Sequence, residues 1–498
     1  MSLTSAIATA QTIFSNTGLQ SSALATNIAN ASNPDYARRV GTLTIDSAGG
    51  QKLSIDRTYD NGLVKQTMYS TADSAAQDTL QEKLERIRAL LGGNDYETSP
   101  STYIATLRDN LQAYATKPNE STLASTVISG AQDVANSLNN ISSEIQSMRG
   151  SIDQEIDNQI EQLNGLLKQF DDVNGTIKAG TATGSDINNE LDMRERYLKE
   201  ISKIVGVRSF TRADNDMVLY TSDGSMLYDS GPRKILFTPQ PAYDANTDGN
   251  PVVIDGIPVQ SGDNGNSTAK GSLQALLQVR DNIIPTYQAQ LDETAHGLIT
   301  MFAQTDQTGS GVDPIPGLFT YSSYAAGDTL PAAGTLVNGL SAEIKVNDTL
   351  IKNKGGEPTL LRDGGYDVDG LGVGTTDYLG NTNGDASYSD TLDAYVEKFE
   401  EDQPFDTATL LDASATIADY ATGSVGWLEQ YISESAAAKD NKSTQLSRVT
   451  EALSNTTGVS LDEEMSLMLD LEQSYKASSK LVSAVDQMMQ TLLDVVGN

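Results

Sequence analysis

One metal-like pattern occurs in this sequence: Asp244, Asn246 and Asp248, followed by Gly249 and, at the twelfth place, Asp255. Oxygen donors at alternate positions, a glycine sixth and an acid twelfth are what Ca²⁺ takes from a twelve-residue loop. Three features weaken that reading. Pro251 stands at position eight, the terminal acid is the shorter Asp, and the flanks read as strands and turns. A solvated acidic turn competes with it, as it does at Asp367, Asp369, Asn381, Asn383 and Asp385. His296 is the sole histidine and cysteine is absent, which removes disulfides, thiolate and poly-His metal sites and thiol nucleophiles. His296 stands beside the stripe Ile284, Tyr287, Leu291, Ala295, Leu298 and Phe302, and reads as a packed ring with no nucleophile to serve. Neither a Walker-type phosphate loop nor GxSxG occurs. Acids are too abundant to nominate a catalytic carboxylate pair. No enzymatic activity and no cofactor are expected.

Sixty-seven acidic against 33 basic residues give a formal net charge of −34. So acidic a chain has little with which to neutralise phosphates or anionic lipid, so nucleic-acid binding is not expected. No apolar run approaches the roughly 20 residues of a membrane span, so no membrane insertion is expected. Residues 1–11 lack the basic start and long apolar run of a cleaved Sec-type signal. That leaves the cytoplasm, or an export route needing no such signal. At roughly 150 residues per domain the length allows about three domains.

The elements that would position any site are mostly helical. Leu3, Ile7, Ala10, Phe14, Thr17, Ser21, Leu24 and Ile28 alternate steps of four and three, a heptad seam that predicts a helix to about Ala31, broken by Asn33-Pro34. At the other end Leu461, Met468, Leu471, Tyr475, Val482, Val485, Met489, Leu492 and Val496 repeat the seam, interrupted only by Glu464 and Ser478. A second stripe at Leu467, Leu481, Met488 and Val495 widens this face beyond what a single partner helix covers. Ser460 to Glu463 reads as a capping box. Val127 to Phe170 carries one long helix of roughly fifty residues. Shorter helices are expected near 72–91, 101–115, 186–204, 272–304 and 388–400, and within 408–455. Met217–Tyr220, Lys234–Thr238 and Val252–Val259 read as strands, with Asp255-Gly256 as a hairpin turn. Residues 309–389, rich in Gly, Asp, Asn and Thr, read as a loop-rich surface insertion.

The expected fold is mainly α with β-rich insertions, α+β and multidomain. A terminal coiled-coil core takes 1–38 with 456–498, and a helical domain takes 39–205, 270–308 and 388–455. A β-rich insert takes 206–269 and an outer insert takes 309–387. Terminal helices with such wide apolar faces read as assembly surfaces.

Residues Asn27 to Arg39, NIANASNPDYARR, resemble the N-terminal signature of the axial proteins of the bacterial flagellum (rod, hook and hook-associated proteins). Asn27, Asn30, Pro34, Tyr36 and Arg38 carry the match. Asn33 and Asp35 replace the usual Thr and Gly. Gly458 to Leu493 is similar to the ending of the same family, above all to hook-associated proteins of the first type, which join hook to filament. Gly271–Phe302 and Asn188–Val207 look like internal helices of that group which rod and hook proteins lack. Ile187-Asn188-Asn189-Glu190 departs from the LLDQR-like sequence common there.

The resemblance implies a structural subunit of the hook–filament junction, outside the cell after type III flagellar export and transiently cytoplasmic before it. It implies hook protein, the second junction protein and copies of itself as partners. It also implies a cytosolic export chaperone on the C-terminal helix. Free terminal helices are expected to be largely disordered in the lone chain, and Leu492→Asp is expected to abolish assembly with the middle domains still folded. The alternatives are another axial subunit, hook or distal rod, and a secreted calcium-dependent adhesin.

Overall fold

The computed structural model describes the backbone of residues 3–45 and 51–496, and side chains of 7–44 and 53–491. Helix α1 (Leu3–Ala29) leads to strands β1 (Arg39–Ile45) and β2 (Gln51–Arg57), an antiparallel pair in which Leu43 stands opposite Leu53. Then come helices α2 (Asn61–Leu90), α3 (Pro100–Thr116), α4 (Ser121–Thr183) and α5 (Asn188–Ile204). Strands β3 (Val207–Thr211), β4 (Met217–Thr221) and β5 (Met226–Tyr228) form one sheet; β6 (Ile235–Leu236), β7 (Val253–Ile254) and β8 (Ile257–Pro258) form another. Helix α6 (Ser272–Gln278) passes through a π turn, 279–283, into α7 (Ile284–Met301). Helices α8 (Leu340–Glu343), α9 (Leu360–Asp363), α10 (Asp390–Lys398), α11 (Ile417–Thr457) and α12 (Leu461–Val496) complete the chain.

The long helix was legible because its apolar spacing never lapses. Val127, Val134, Leu138, Ile145, Ile156, Leu163, Leu167 and Phe170 are all fully buried along α4. Gly150 and Gly165 sit on it with open space at the missing Cβ and do not break it. Each costs the helix roughly 1 kcal/mol relative to Ala, which continuous burial offsets. The Asp255-Gly256 turn is the expected hairpin, with φ of 50° and 84°. The β1–β2 pair was not expected, because 39–60 was read into the helical domain.

The chain forms two compact units. Unit one is Met1–Ser74, Gln162–Lys234 and Asn441–Asn498; unit two is Ala75–Glu161 and Ile235–Asp440. This differs from the four-part division expected from the sequence. Three of the four boundaries fall inside α2, α4 and α11, where no loop or shift of composition marks them. The expected β-rich insert, 206–269, is divided between the units.

Within unit one, the β3–β5 sheet is tied to the end of α4. Tyr228 donates its hydroxyl to Asp171 at 2.6 Å and packs edge-on against Phe170. Asn188 opens α5 by bonding β2 from both sides: its Oδ1 accepts from Arg57 N–H (3.0 Å) and its Nδ2 donates to the Ile55 carbonyl (2.7 Å).

Within unit two, α6 and α7 are buried on nearly every face, so their polar residues need internal partners. His296 is a packed ring, its Nδ1 3.5 Å from Glu293 and its Nε2 3.3 Å from the Pro331 carbonyl oxygen. Burial raises the carboxyl of Asp292 above the usual range, against four hydrogen bonds it accepts from Ser341, Gly339 and Gln288. Residues 309–387 are more ordered than a loop-rich insertion. Residues 319–321 and 344–346 pair as strands, and Ile315, Tyr324, Val368 and Tyr378 make a small core.

Candidate functional site: the paired terminal helices

Helices α1 and α12 pack against each other. The side of α1 turned inward carries the seam residues Ala10, Thr17 and Leu24, with Asn27 buried beside them. On α12 the buried positions are Glu464, Ser478 and Val485, with Leu471 half-buried. Glu464 and Ser478 are the two interruptions of the seam, so α12 meets α1 through the half of its heptads that is partly polar. The other half stays open. Leu461, Met468, Tyr475, Val482 and Met489 are all exposed, Met468 at 48% and Tyr475 at 54%. Ile7, Phe14 and Ile28 are half-buried, and Phe14 meets Tyr475 edge-to-face at 5.1 Å between centroids. The side chains of Leu3 and Leu492 lie outside the described residues. The pair is helical along its described length, where disorder in the lone chain was expected. The contacts described next supply the partner that expectation lacked.

The N-terminal signature is a hydrogen-bond junction for α12. Asn27 is fully buried. Its Oδ1 accepts from the Tyr36 hydroxyl (2.7 Å) and from Arg39 N–H (2.9 Å), and its Nδ2 donates to the Arg39 carbonyl and to Glu464 Oε2, both at 2.9 Å. Every donor and acceptor of the amide is therefore used, which no other side chain of that size could reproduce. Arg38 donates Nε to Glu464 Oε1 at 2.6 Å, and its Nη1 lies 3.0 Å from Glu463. Arg39 reaches Asp192 on α5 at 2.5 Å and lies over the Tyr36 ring. Burial pushes the Tyr36 hydroxyl up to about 12. Of the five signature residues the structure thus gathers Asn27, Tyr36 and Arg38. The Asn30 side chain donates to the Thr26 carbonyl of its own helix, and Pro34 is exposed after the helix end. Asp35 does not adopt positive φ, so its replacement of glycine carries no left-handed strain. Ser460 Oγ accepts from Glu463 N–H at 3.5 Å, but the Glu463 carboxylate turns to Arg38.

Glu464 was missed as a functional residue because it interrupts an apolar stripe. The signal was there: an acid on a buried face must find a cation or donors, and Arg38 lies in the signature. Asp192, partner of Arg39, gave no comparable signal.

In unit two the acidic run around Asp244 is organised by guanidiniums. Arg149, 3% exposed, donates Nη1 to the Asp244 carbonyl (3.2 Å) and Nη2 to the Thr247 carbonyl (2.7 Å). Asp244 Oδ1 caps its own turn, accepting from Asn246 N–H and the Thr247 hydroxyl; these bonds hold its carboxyl below the usual range. Gly249 does not take the positive φ of a sharp turn. It is glycine because Arg280 packs on it: a Cβ there would stand 2.5 Å from Arg280 Cζ. Asp255 lies in the β7–β8 turn. Among the described residues no group of three or more His, Asp or Glu side chains converges as a metal site. With cationic side chains against this loop, Ca²⁺ at about 1 mM, enough for weak extracellular loops, is expected to leave the melting temperature unchanged. A rise measured by calorimetry would restore the cation reading.

Known proteins resemble this chain at the same places. Residues 84–319 match the model of the flagellar hook-associated protein FlgK helical domain, and residues 452–495 match that of the flagellar basal body rod FlgEFG protein C-terminal region. Flagellar hook-associated protein 1 of Bacillus subtilis is 21% identical across 96% of this chain and 95% of its own length. Over nearly its whole length the chain is thus similar to flagellar hook-associated proteins of the first type. Flagellar hook-associated protein 1 of Salmonella typhimurium is 22% identical over 39% of this chain and 35% of its own length. Among solved structures, the flagellar hook junction protein FlgK from Burkholderia pseudomallei has the same fold, with TM-score 0.56 at 14% identity, covering 78% of this chain and 99% of that one. The relatives are flagellar structural proteins. This chain is mainly α with β insertions, and among its described residues no helix is long and apolar enough to cross a membrane.

Proposed function

We propose that this structural subunit of the hook–filament junction assembles through the open face of its α1–α12 pair. The observation that carries the reading is the exposure of Leu461, Met468, Tyr475, Val482 and Met489 along one helix. So long a row of exposed apolar side chains marks an interaction surface. Each such side chain contributes roughly 1.5–3 kcal/mol when fully buried, before the entropy of ordering is subtracted. A tube built of identical subunits needs two different faces that repeat without closing, and α1 and α12 offer one each. Hook protein on one side, the second junction protein on the other and neighbouring copies are the partners. The chain leaves the cytoplasm by flagellar type III export, with a chaperone covering α12 until then, since the same apolar face would otherwise drive premature association.

Gold-labelled antibody against this chain, applied to purified flagella, tests the placement. A single band between hook and filament is expected. Label distributed along the hook or on the rod would replace this reading by another axial subunit.

A further inference from the structure

All sulfur in this chain is thioether, in 11 methionines, because cysteine is absent. Their placement is uneven. Met68, Met148, Met217 and Met301 are buried, none above 5% exposed. Met226 is half-buried, and its sulfur accepts from Arg233 Nε at 3.2 Å. Met193 on α5 is 37% exposed. Met465, Met468, Met488 and Met489 are 40% to 53% exposed, and all four stand on α12. Among the described residues, the thioethers most open to solvent therefore lie on the helix that displays the apolar row, with Met468 and Met489 in the row itself.

A peroxide in solution meets these sulfurs first, since exposure sets which thioether reacts. The sulfur attacks one peroxide oxygen; the O–O bond breaks as the S–O bond forms, and the other oxygen leaves as water. The thioether loses two electrons and the peroxide gains them. The product, a sulfoxide, is polar and accepts hydrogen bonds without donating any. On an exposed helix face water satisfies it, so the folded chain tolerates the change. Buried against another apolar face it needs a donor, and an unpaired polar group there opposes burial. The exposed charges within four residues of these methionines are Asp462, Glu463, Asp470, Glu472 and Asp486, all acids with no hydrogen to give. Leucine at the same places would fill a similar volume and could not be oxidised.

We propose that Met465, Met468, Met488 and Met489 are an oxidation site: a peroxide converts them to sulfoxides in the unassembled chain and so blocks its assembly, and assembly in turn shields them. Methionine sulfoxide reductases reverse the change, taking two electrons from a dithiol and releasing the oxygen as water. The proposal rests on the reading that α12 is an assembly surface, and adds a chemical control of it.

Purified chain is treated with hydrogen peroxide, its sulfoxides are located by mass spectrometry, and it is offered to cells that carry hooks but lack the gene. Incorporation is counted with gold-labelled antibody. Oxidation of the four α12 methionines is expected to lower incorporation by at least about tenfold with the melting transition unchanged. Both sulfoxide reductases with a dithiol should restore it. Met193→Leu, which removes the exposed methionine of α5, should leave the sensitivity as it was. Oxidised chain incorporated like untreated chain, a loss that the reductases do not reverse, or a Met193→Leu chain that resists peroxide would each overturn the proposal and leave the assembly reading standing. Peroxide applied to purified flagella separates the two: the α12 methionines should oxidise more slowly there than in the free chain. Equal rates would mean that this face stays open in the flagellum, and would overturn the assembly reading and the proposal with it.

Discussion

Glu464→Ala frees α12 from the signature turn while the rest of the molecule stays folded. The carboxylate is completely buried and holds Asn27 and Arg38 together. Its removal leaves the Asn27 amide short of an acceptor and Arg38 without its near partner. Breaking a buried ion pair costs about 3–5 kcal/mol. Arg38 is 22% exposed and regains some hydration, which puts the effect near the low end, about 3 kcal/mol. At 1.4 kcal/mol per tenfold change, the opened population of α12 rises roughly 100-fold. Hydrogen exchange reads this directly: amides of 461–491 lose protection, and those of α4 and α7 keep theirs. Glu464→Gln, which keeps one acceptor for Asn27, should fall between. Unchanged protection in the Ala variant would mean that the apolar contacts with α1 alone hold α12.

The paired substitution Met468→Asp with Val482→Asp removes assembly without removing the fold. Both side chains are exposed, so melting should move by no more than about 0.5 kcal/mol equivalent. In the assembly each loses roughly 1.5–3 kcal/mol of apolar burial and adds a charge to be desolvated. The sum exceeds about 3 kcal/mol, more than a 100-fold loss of subunit affinity. The expected picture is hooks without filaments, with folded variant in the medium. A variant that loses its thermal transition would place this face in the core of the lone chain.

The sequence made the helices legible and left their partners obscure. Period alone located α4, because Val134, Leu138, Ile145 and their successors never leave the buried face. The seams of α1 and α12 were equally plain, but a seam does not say which of its positions meets which neighbour. In α12 the positions read as interruptions, Glu464 and Ser478, are buried together with Val485, and Glu464 is accommodated because Asn27 and Arg38 supply its donors. The signature residues were visible as a pattern, yet the reason for Asn27 appeared only when the chain brought Tyr36, Arg39 and Glu464 to its amide. The β1–β2 pair was missed because Leu53, Ile55 and Arg57 alternate over too few places to separate from helix. The Asp244 run shows the converse. Its spacing suggested a cation loop, and local composition could not reveal that Arg149 and Arg280, far away in sequence, pack against it.

The most direct test of the junction role is electron microscopy of cells lacking the gene for this chain, with the culture medium probed for flagellin. Complete hooks bearing no filament, with flagellin shed into the medium and filaments restored by the intact gene, are the predicted result. Full-length filaments on those hooks would contradict it.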